Sequence, residues 1–356
     1  MRAALALLPL ALAALGCGHR GPPTPPLPHL PEPPREVRWR QRGDELQLEA
    51  RYTLRIVGGG ALRLPARPEI LFTTSGAGLG SSWSASNRDR EFRRVAKPFT
   101  LPPFAADAET PATRRDALPL AKLPEAPELV LALTLADERA RSLASSRTAL
   151  APLRPALPAM TTLAAEPREN GIELRWTASE DARAETVRIY RWSPPGSEPW
   201  EPLRTVAAKE AIFLDEGPRY GETVVYLAAF AGAGVRGTVE GVPQQLAAID
   251  YRDRFPPAPP RDLDAVAEAG RIRVLWYPGG APDENAWIVE RQREGEPEFT
   301  NRGRAEAPDA FFLDDAVEPA ARYRYRVLAE DASGNRSAPV GPTEWVAARP
   351  PAESAR

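Results

Sequence analysis

The side chains with the widest chemical range are scarce in this chain, which has one cysteine and two histidines in 356 residues. All three fall close together, at Cys17, His19 and His29. A lone cysteine excludes an internal disulfide, so its thiol needs another explanation. With both histidines ahead of residue 36, no folded domain carries one, which removes a Ser-His-Asp triad and a histidine-based zinc site from those domains. No glycine-rich loop follows a strand and opens a helix, as a phosphate-cradling loop requires. A two-carboxylate glycosidase is compatible with 48 acidic residues, but no spacing singles out a pair. Glu330, Asp331 and Asn335 offer the oxygen donors that calcium selects. Yet Asp331-Ala332-Ser333-Gly334-Asn335 is also what a tight turn requires, since Gly and Asn tolerate positive φ; the turn is the reading adopted. The chain is therefore expected to be non-catalytic, with no cofactor and no metal.

Cys17 follows a leader. Met1-Arg2 and the apolar run Ala3 to Gly16 have the short positive start, Leu/Ala core and small residues of a signal peptide, residues 1–16. Pro9 interrupts the run, which is shorter than the ~20 apolar residues of a spanning helix. Ala13-Ala14-Leu15-Gly16-Cys17 resembles a bacterial lipoprotein box, with Ala14 where leucine is commonest. The resemblance implies lipidation at Cys17: a diacylglycerol thioether on the first mature residue, after small residues that let the peptidase reach the backbone. Each buried methylene contributes about 0.8 kcal/mol, so two or three acyl chains suffice for lasting membrane attachment. Gly18, in place of the aspartate that retains lipoproteins in the inner membrane, implies the outer membrane, on its periplasmic face or at the cell surface. Cys17-Gly18-His19-Arg20-Gly21-Pro22 is similar to the Cys-Gly-x-Lys-Gly-Pro opening of small proteobacterial lipoproteins that associate with lipopolysaccharide transport. Arg20 replaces their lysine, and an envelope-assembly role is the alternative this implies.

Residues 17–35 read as a tether. The chain has 41 prolines, about double the usual share of ~5%, and Pro25-Pro26, Pro28, Pro31 and Pro33-Pro34 fall in this segment. An extended polyproline spacer rises ~3.1 Å per residue, which gives a reach of roughly 50 Å. Net charge is −2, and no basic stripe indicates nucleic acid.

Residues 36–151 are expected to form a divergent β-sandwich with a long insertion. Val37 and Trp39, then Leu46, Leu48 and Ala50, alternate as two strands about an Arg42-Gly43-Asp44 turn. That tripeptide also occurs in animal fibronectin domains as an integrin site; here it stands in a different loop and is read as a turn. Further strands are expected at Glu69 to Thr73, at Glu128 to Ala136, where Leu129, Leu131, Leu133 and Leu135 share a face, and at Arg141 to Leu150. Ser75 to Pro127 reads as a long loop, and its cluster Arg88 to Arg94 around Phe92 as solvated.

The rest of the chain repeats. Ile272, Val274 and Trp276 alternate on one strand face, as do Ile172, Leu174 and Trp176 at an offset of 100 residues. Arg191 returns as Arg291 at the same offset, while Phe213-Leu214-Asp215 returns as Phe312-Leu313-Asp314, and Tyr226 as Tyr325, at an offset of 99. With the Pro-rich Pro257-Ala258-Pro259-Pro260, the strand Trp287 to Arg291, Tyr323-Arg324-Tyr325-Arg326-Val327 and the turn at Asp331 to Ser337, residues 256–348 resemble a fibronectin type III domain. Residues 157–250 match with a weaker corner, because Val224 stands where the corner tyrosine is expected. The resemblance implies an all-β chain of tandem immunoglobulin-like (fibronectin type III) β-sandwiches after the signal peptide and Pro-rich tether. It also implies that Trp176 and Trp276 fill the cores and that Tyr323 makes the corner hydrogen bond. Asp215 and Asp314, equivalent in the two copies, are expected to hold structural hydrogen bonds. Pro152 to Pro158 and Asp253 to Pro260 should join the domains as semi-rigid beads, and 349–356 is expected to be a disordered tail. Trp192, Trp200 and Trp345 are not placed in the core by the pattern; exposed faces there would stack on sugar rings, which makes a carbohydrate-binding module the second alternative. The expected partners are the membrane, through the N-terminal lipid, and an unknown envelope protein or polysaccharide.

Overall fold

The computed structural model describes residues 30–62, 66–74, 92–105, 111–137, 142–143, 145, 147–152, 155–234 and 237–351. Cys17, His19, His29, the signal peptide, most of the tether and Arg88 to Glu91 lie outside them. No helix of the described residues is long and apolar enough to cross a membrane. The first region carries β1 (Arg35–Arg42), β2 (Glu45–Tyr52), β3 (Arg67–Thr74), β4 (Lys97–Thr100), β5 (Ala112–Pro119), β6 (Leu129–Ala136) and β7 (Thr148–Leu150). The second carries β8 (Ala164–Arg168), β9 (Gly171–Arg175), β10 (Thr186–Trp192), β11 (Arg204–Ala207), β12 (Ile212–Asp215), β13 (Thr223–Gly234), β14 (Gly237–Glu240), β15 (Gln244–Gln245) and β16 (Ile249–Asp250). The third carries β17 (Arg261–Glu268), β18 (Arg271–Tyr277), β19 (Glu284–Arg293), β20 (Thr300–Glu306), β21 (Phe311–Asp314), β22 (Arg322–Asp331) and β23 (Val346–Ala347).

These strands gather into two compact units. One holds the described residues up to Ala159 with Ser179–Thr186 and Ala229–Pro243; the other holds Met160–Ala178, Val187–Ala228 and Gln244–Arg356. One boundary follows Ala159, just after the Pro152 to Pro158 segment, and another falls inside β13, between Ala228 and Ala229.

In the first unit, β1, β2 and β5 form one sheet and β4, β3, β6 and β7 the other. Alternation dictates the packing: Leu46, Leu48, Ala50 and Tyr52 of β2 meet Leu129, Leu131, Leu133 and Leu135 of β6 in one core. A further strand joins from far along the chain. β14 pairs in parallel with β1, Gln41 opposite Val239 and Arg42 opposite Glu240, and pairs antiparallel with the end of β13. The β1–β2 turn fits against this addition, with Gly43 at φ +56° and its N–H donating to Glu240 O at 2.7 Å. A Cβ at Gly43 would lie 2.7 Å from Val242 Cγ2, so glycine is required both for its φ and for space.

Ser75 to Pro127 is not a single loop. It contains β4, β5 and a helical turn at 92–95, and Phe92 is fully buried against Leu71 and Ala132. Phe92 therefore covers the back of the β3–β6 sheet, with the Arg147 guanidinium over its ring at 5.6 Å. β5 escaped the periodicity test because its half-buried positions include Arg114 and Asp116. These two form a forked ion pair, Arg114 Nη2 to Asp116 Oδ1 at 2.6 Å, and the guanidinium covers Phe104 at 5.2 Å.

In the second unit the third region is a complete sandwich. β17-β18-β21 form one sheet and β20-β19-β22-β23 the other. Ile272, Val274, Trp276, Trp287, Val289, Tyr323, Tyr325 and Val327 fill the space between them. The second region repeats the register: Asp215 lies opposite Ile172, as Asp314 lies opposite Ile272.

Candidate functional site

The repeated residues converge on a buried carboxylate. Asp314 has no exposed surface. It accepts hydrogen bonds from Arg291 Nη1 at 2.8 Å, Arg302 Nε at 2.7 Å, the Tyr325 hydroxyl at 2.8 Å and the Ala316 N–H at 3.2 Å. Strand register makes this possible. Asp314 ends β21 beside Ile272, while Arg291 and Tyr325 face each other across β19 and β22. Burial opposes ionisation of Asp314, but the hydrogen bonds from Arg302, Tyr325 and Arg291 outweigh it and hold the carboxyl below the usual carboxylate range. Burial, and then the Asp314 charge, push the Tyr325 hydroxyl well up. The second region repeats the arrangement, with Arg191 at 2.7 Å and Tyr226 at 2.7 Å from Asp215. Every acceptor face of these carboxylates is occupied by the chain's own donors, so the pair is built to hold sheets together and not to transfer protons.

Trp176 and Trp276 are 5% and 4% exposed, and so occupy the cores. Trp176 Nε1 donates to Ala208 O at 3.0 Å, whereas Trp276 packs on Trp287 with rings 5.7 Å apart. Tyr323 is buried, and its hydroxyl accepts the Glu318 N–H at 3.1 Å, with Arg291 over its ring at 4.6 Å. Where Val224 takes that place, two tyrosines that the pattern did not single out close the same end. Tyr220 donates to Glu169 O at 2.7 Å and Tyr251 to Arg168 O at 2.7 Å, their rings 4.8 Å apart. Neither follows the repeat spacing, and their role rests on the fold of the Glu169 turn.

The outer face of the four-stranded sheet is covered by its own arginines. Glu330 joins Arg304 and Arg336, Arg326 pairs with Glu290, and Arg324 lies 4.7 Å from the Trp345 ring and 5.5 Å from Phe299. Trp345 is thus half-buried under an internal cation–π contact. Trp192 and Trp200 are also half-buried.

Asp331 serves the turn. The Asn335 N–H and Nδ2 donate to its two carboxylate oxygens, each at 2.8 Å, and Gly334 has φ +86°. Asp253 and Asp283 bring their carboxylates within 4.8 Å of it, a juxtaposition without sequence periodicity. Ser333 Oγ donates to Asp253 at 3.1 Å, so much of the acceptor capacity of this trio is taken up locally.

In the first unit, Arg42 of the Arg42-Gly43-Asp44 turn is buried. Its Nε lies 2.7 Å from Glu240 Oε2, and both side chains are nearly sealed from solvent, at 6% and 0% exposure. This excludes the tripeptide as an exposed recognition loop.

Seven strands divided three and four, a buried tryptophan on the second strand and a tyrosine tied back at the corner define the third region. It has a fibronectin type III fold. The second region shares that fold, and the first is an immunoglobulin-like sandwich extended by β14. No family model matches the chain. Over 106 residues it is 34% identical to cell adhesion molecule Dscam2 of Drosophila melanogaster, a match covering 28% of this chain and 5% of that protein. A two-domain fibronectin type III segment of chicken tenascin is 14% identical, covering 53% of this chain and 98% of that one, with a TM-score of 0.35. Chicken CNTN1 FN1-FN3 domains are 14% identical, covering 90% of this chain and all of that one, with a TM-score of 0.27. The chain spans about a twentieth of the curated relative it matches.

Proposed function

We propose that this chain is a lipid-anchored, non-catalytic binding or scaffold protein of the bacterial cell envelope. The observation that carries the non-catalytic part is the fate of Asp215 and Asp314. The conspicuous repeated carboxylates are consumed by Arg191 and Tyr226, and by Arg291, Arg302 and Tyr325. Among the described residues no histidine or cysteine is present, so the Ser–His and Cys–His forms of nucleophile activation have no members there. What the sandwiches offer is surface on a stiff frame, suited to holding another envelope protein or a polysaccharide.

The anchor rests on Ala13 to Cys17 and their likeness to a lipoprotein box. Acylation at Cys17, followed by an extended Pro-rich spacer, would hold the sandwiches off the outer membrane while keeping them attached to it. The test is membrane fractionation with intact-mass analysis. The unaltered chain should carry acyl mass on Cys17 and resist alkaline and salt washing, whereas Cys17→Ser should appear in the soluble fraction. A Cys17→Ser protein retained in washed membranes would sink the anchor.

A further inference from the structure

The first unit has a surface groove of about 440 Å³ lined by Arg35, Glu36, Arg51, Thr53, Arg55 and Pro111. Its position follows from topology. β1 begins, β2 ends and β5 begins at this end of the sheet, so Arg35 lies opposite Arg51 and Arg51 opposite Thr113. The incoming chain is pinned beside the groove: Glu32 N–H donates to Arg55 O at 2.7 Å, Val57 N–H to Leu30 O at 2.8 Å, and Thr53 Oγ1 to Glu32 at 2.7 Å.

The charge here is unusual for this chain. Many of its described arginines sit in close carboxylate pairs, such as Arg114–Asp116 at 2.6 Å and Arg291–Asp314 at 2.8 Å. In the groove the pairs are long and exposed, with Arg35–Glu32 at 3.6 Å and Arg51–Glu36 at 3.3 Å. Three arginines line the groove against Glu36, and Glu32 at its edge reaches Arg35 and Thr53, so the cluster keeps a net positive charge. A single carboxylate ligand is matched by one forked guanidinium, whereas a phosphate monoester brings close to two negative charges and three acceptor oxygens. The volume exceeds what one phosphate fills and lies in the range of small-molecule sites.

We propose that this groove binds a phosphate-bearing ligand, with Arg35, Arg51 and Arg55 holding the phosphate and Thr53 lining the floor. The ligand class is a phosphate monoester, carried by a phosphorylated sugar or by a lipid headgroup that ends in one, such as phosphatidic acid. The groove stands at the root of the tether. On the anchor reading above, it is therefore the part of the first sandwich nearest the tether's attachment; phosphate binding itself does not depend on that reading.

The experiment uses the full chain bearing Cys17→Ser, so that binding is independent of acylation. Its probes are inorganic phosphate, followed by backbone amide NMR shifts of β1 and β2, and vesicles of phosphatidic acid with phosphatidylcholine against phosphatidylcholine alone. Phosphate should shift amides around Arg35 and Arg51 to Arg55, and the combined Arg35→Ser, Arg51→Ser, Arg55→Ser variant should weaken binding by about tenfold or more. Glu36→Gln, which removes the carboxylate competing for Arg51, should tighten binding, a gain that misfolding cannot produce. Anionic vesicle binding competed by phosphate assigns the groove to a headgroup. Phosphate shifts without vesicle binding assign it to a soluble phosphorylated ligand. Identical behaviour of the unaltered and triple-variant proteins, with no gain in Glu36→Gln, overturns the proposal.

Discussion

Tyr325 donates its hydroxyl hydrogen to Asp314 Oδ2 at 2.8 Å, and one domain earlier Tyr226 makes the same bond to Asp215 at 2.7 Å. The hydroxyl ties β22 to the end of β21, across the two sheets of the sandwich. It also supplies one of the donors that keep a fully buried carboxylate charged.

Removing that donor alone should be measurable. A hydrogen bond to a charged group contributes about 1.5–3 kcal/mol, so Tyr325→Phe should lower the protection of β22 amides in native-state hydrogen exchange by that amount. Asp314→Ala should cost more, about 3–5 kcal/mol, because Arg291 and Arg302 then lose their carboxylate. Equal protection in Tyr325→Phe and the unaltered chain would show the bond to be incidental.

The same carboxylate sets an acid limit. Its folded pKa lies below its ordinary value, which is about 3.9 in an unfolded chain. A depressed carboxylate contributes stability that is present above the unfolded pKa and lost as pH falls through the folded one. The third sandwich should therefore weaken progressively below about pH 4, and Asp314→Asn should flatten that limb. The exposed pairs at Glu268 and Glu318 are also shifted down, but solvent screening keeps their share small. An unchanged acid limb in Asp314→Asn would refute the assignment.

Arg42 and Glu240 form a buried pair 198 residues apart in sequence. Breaking it from one side leaves an uncompensated charge, so Glu240→Ala should destabilise the first unit by about 3–5 kcal/mol. Replacing both, Arg42→Met with Glu240→Leu, should recover most of the loss. Thermal unfolding of the four proteins of this double-mutant cycle measures the coupling, and strict additivity would contradict it.

Tyr52 makes the opposite case. It is 1% exposed, and its hydroxyl has no hydrogen-bond partner among the described residues. Burial pushes its pKa well up. The ring packs edge-on against Phe104 at 4.9 Å, and phenylalanine would keep that contact. Tyr52→Phe should therefore be neutral or stabilise the first unit by about 1 kcal/mol, read as a rise in melting temperature. A clear loss of stability would reveal a partner for the hydroxyl.

Local pattern settled a good deal. Period-two alternation placed β2, β6, β9 and β18, because a strand with one buried face must bury every second residue. The offsets linking Trp176 to Trp276 and Asp215 to Asp314 marked two copies of one fold, since equivalent residues in a sandwich keep equivalent spacing. Those same offsets made a structural role for the two aspartates legible before any distance was known. The glycine and asparagine of the Asp331 turn were equally readable, because their chemistry is local.

Other features depended on long-range contact. β5 was hidden because Arg114 and Asp116 neutralise each other in half-buried positions where the pattern requires apolar residues. Phe92 read as part of a solvated charged cluster until its burial against Leu71 and Ala132 appeared. The parallel pairing of β14 with β1 has no sequence signature, for it joins segments about 200 residues apart through backbone hydrogen bonds and one buried ion pair. The groove of Arg35, Arg51 and Arg55 is likewise a product of register, since only the pairing of β1 with β2 brings those charges to one end of one sheet. Alternation along a strand is dictated by its own residues, but which strands meet, and which charges are thereby buried or gathered, is decided by the folded chain as a whole.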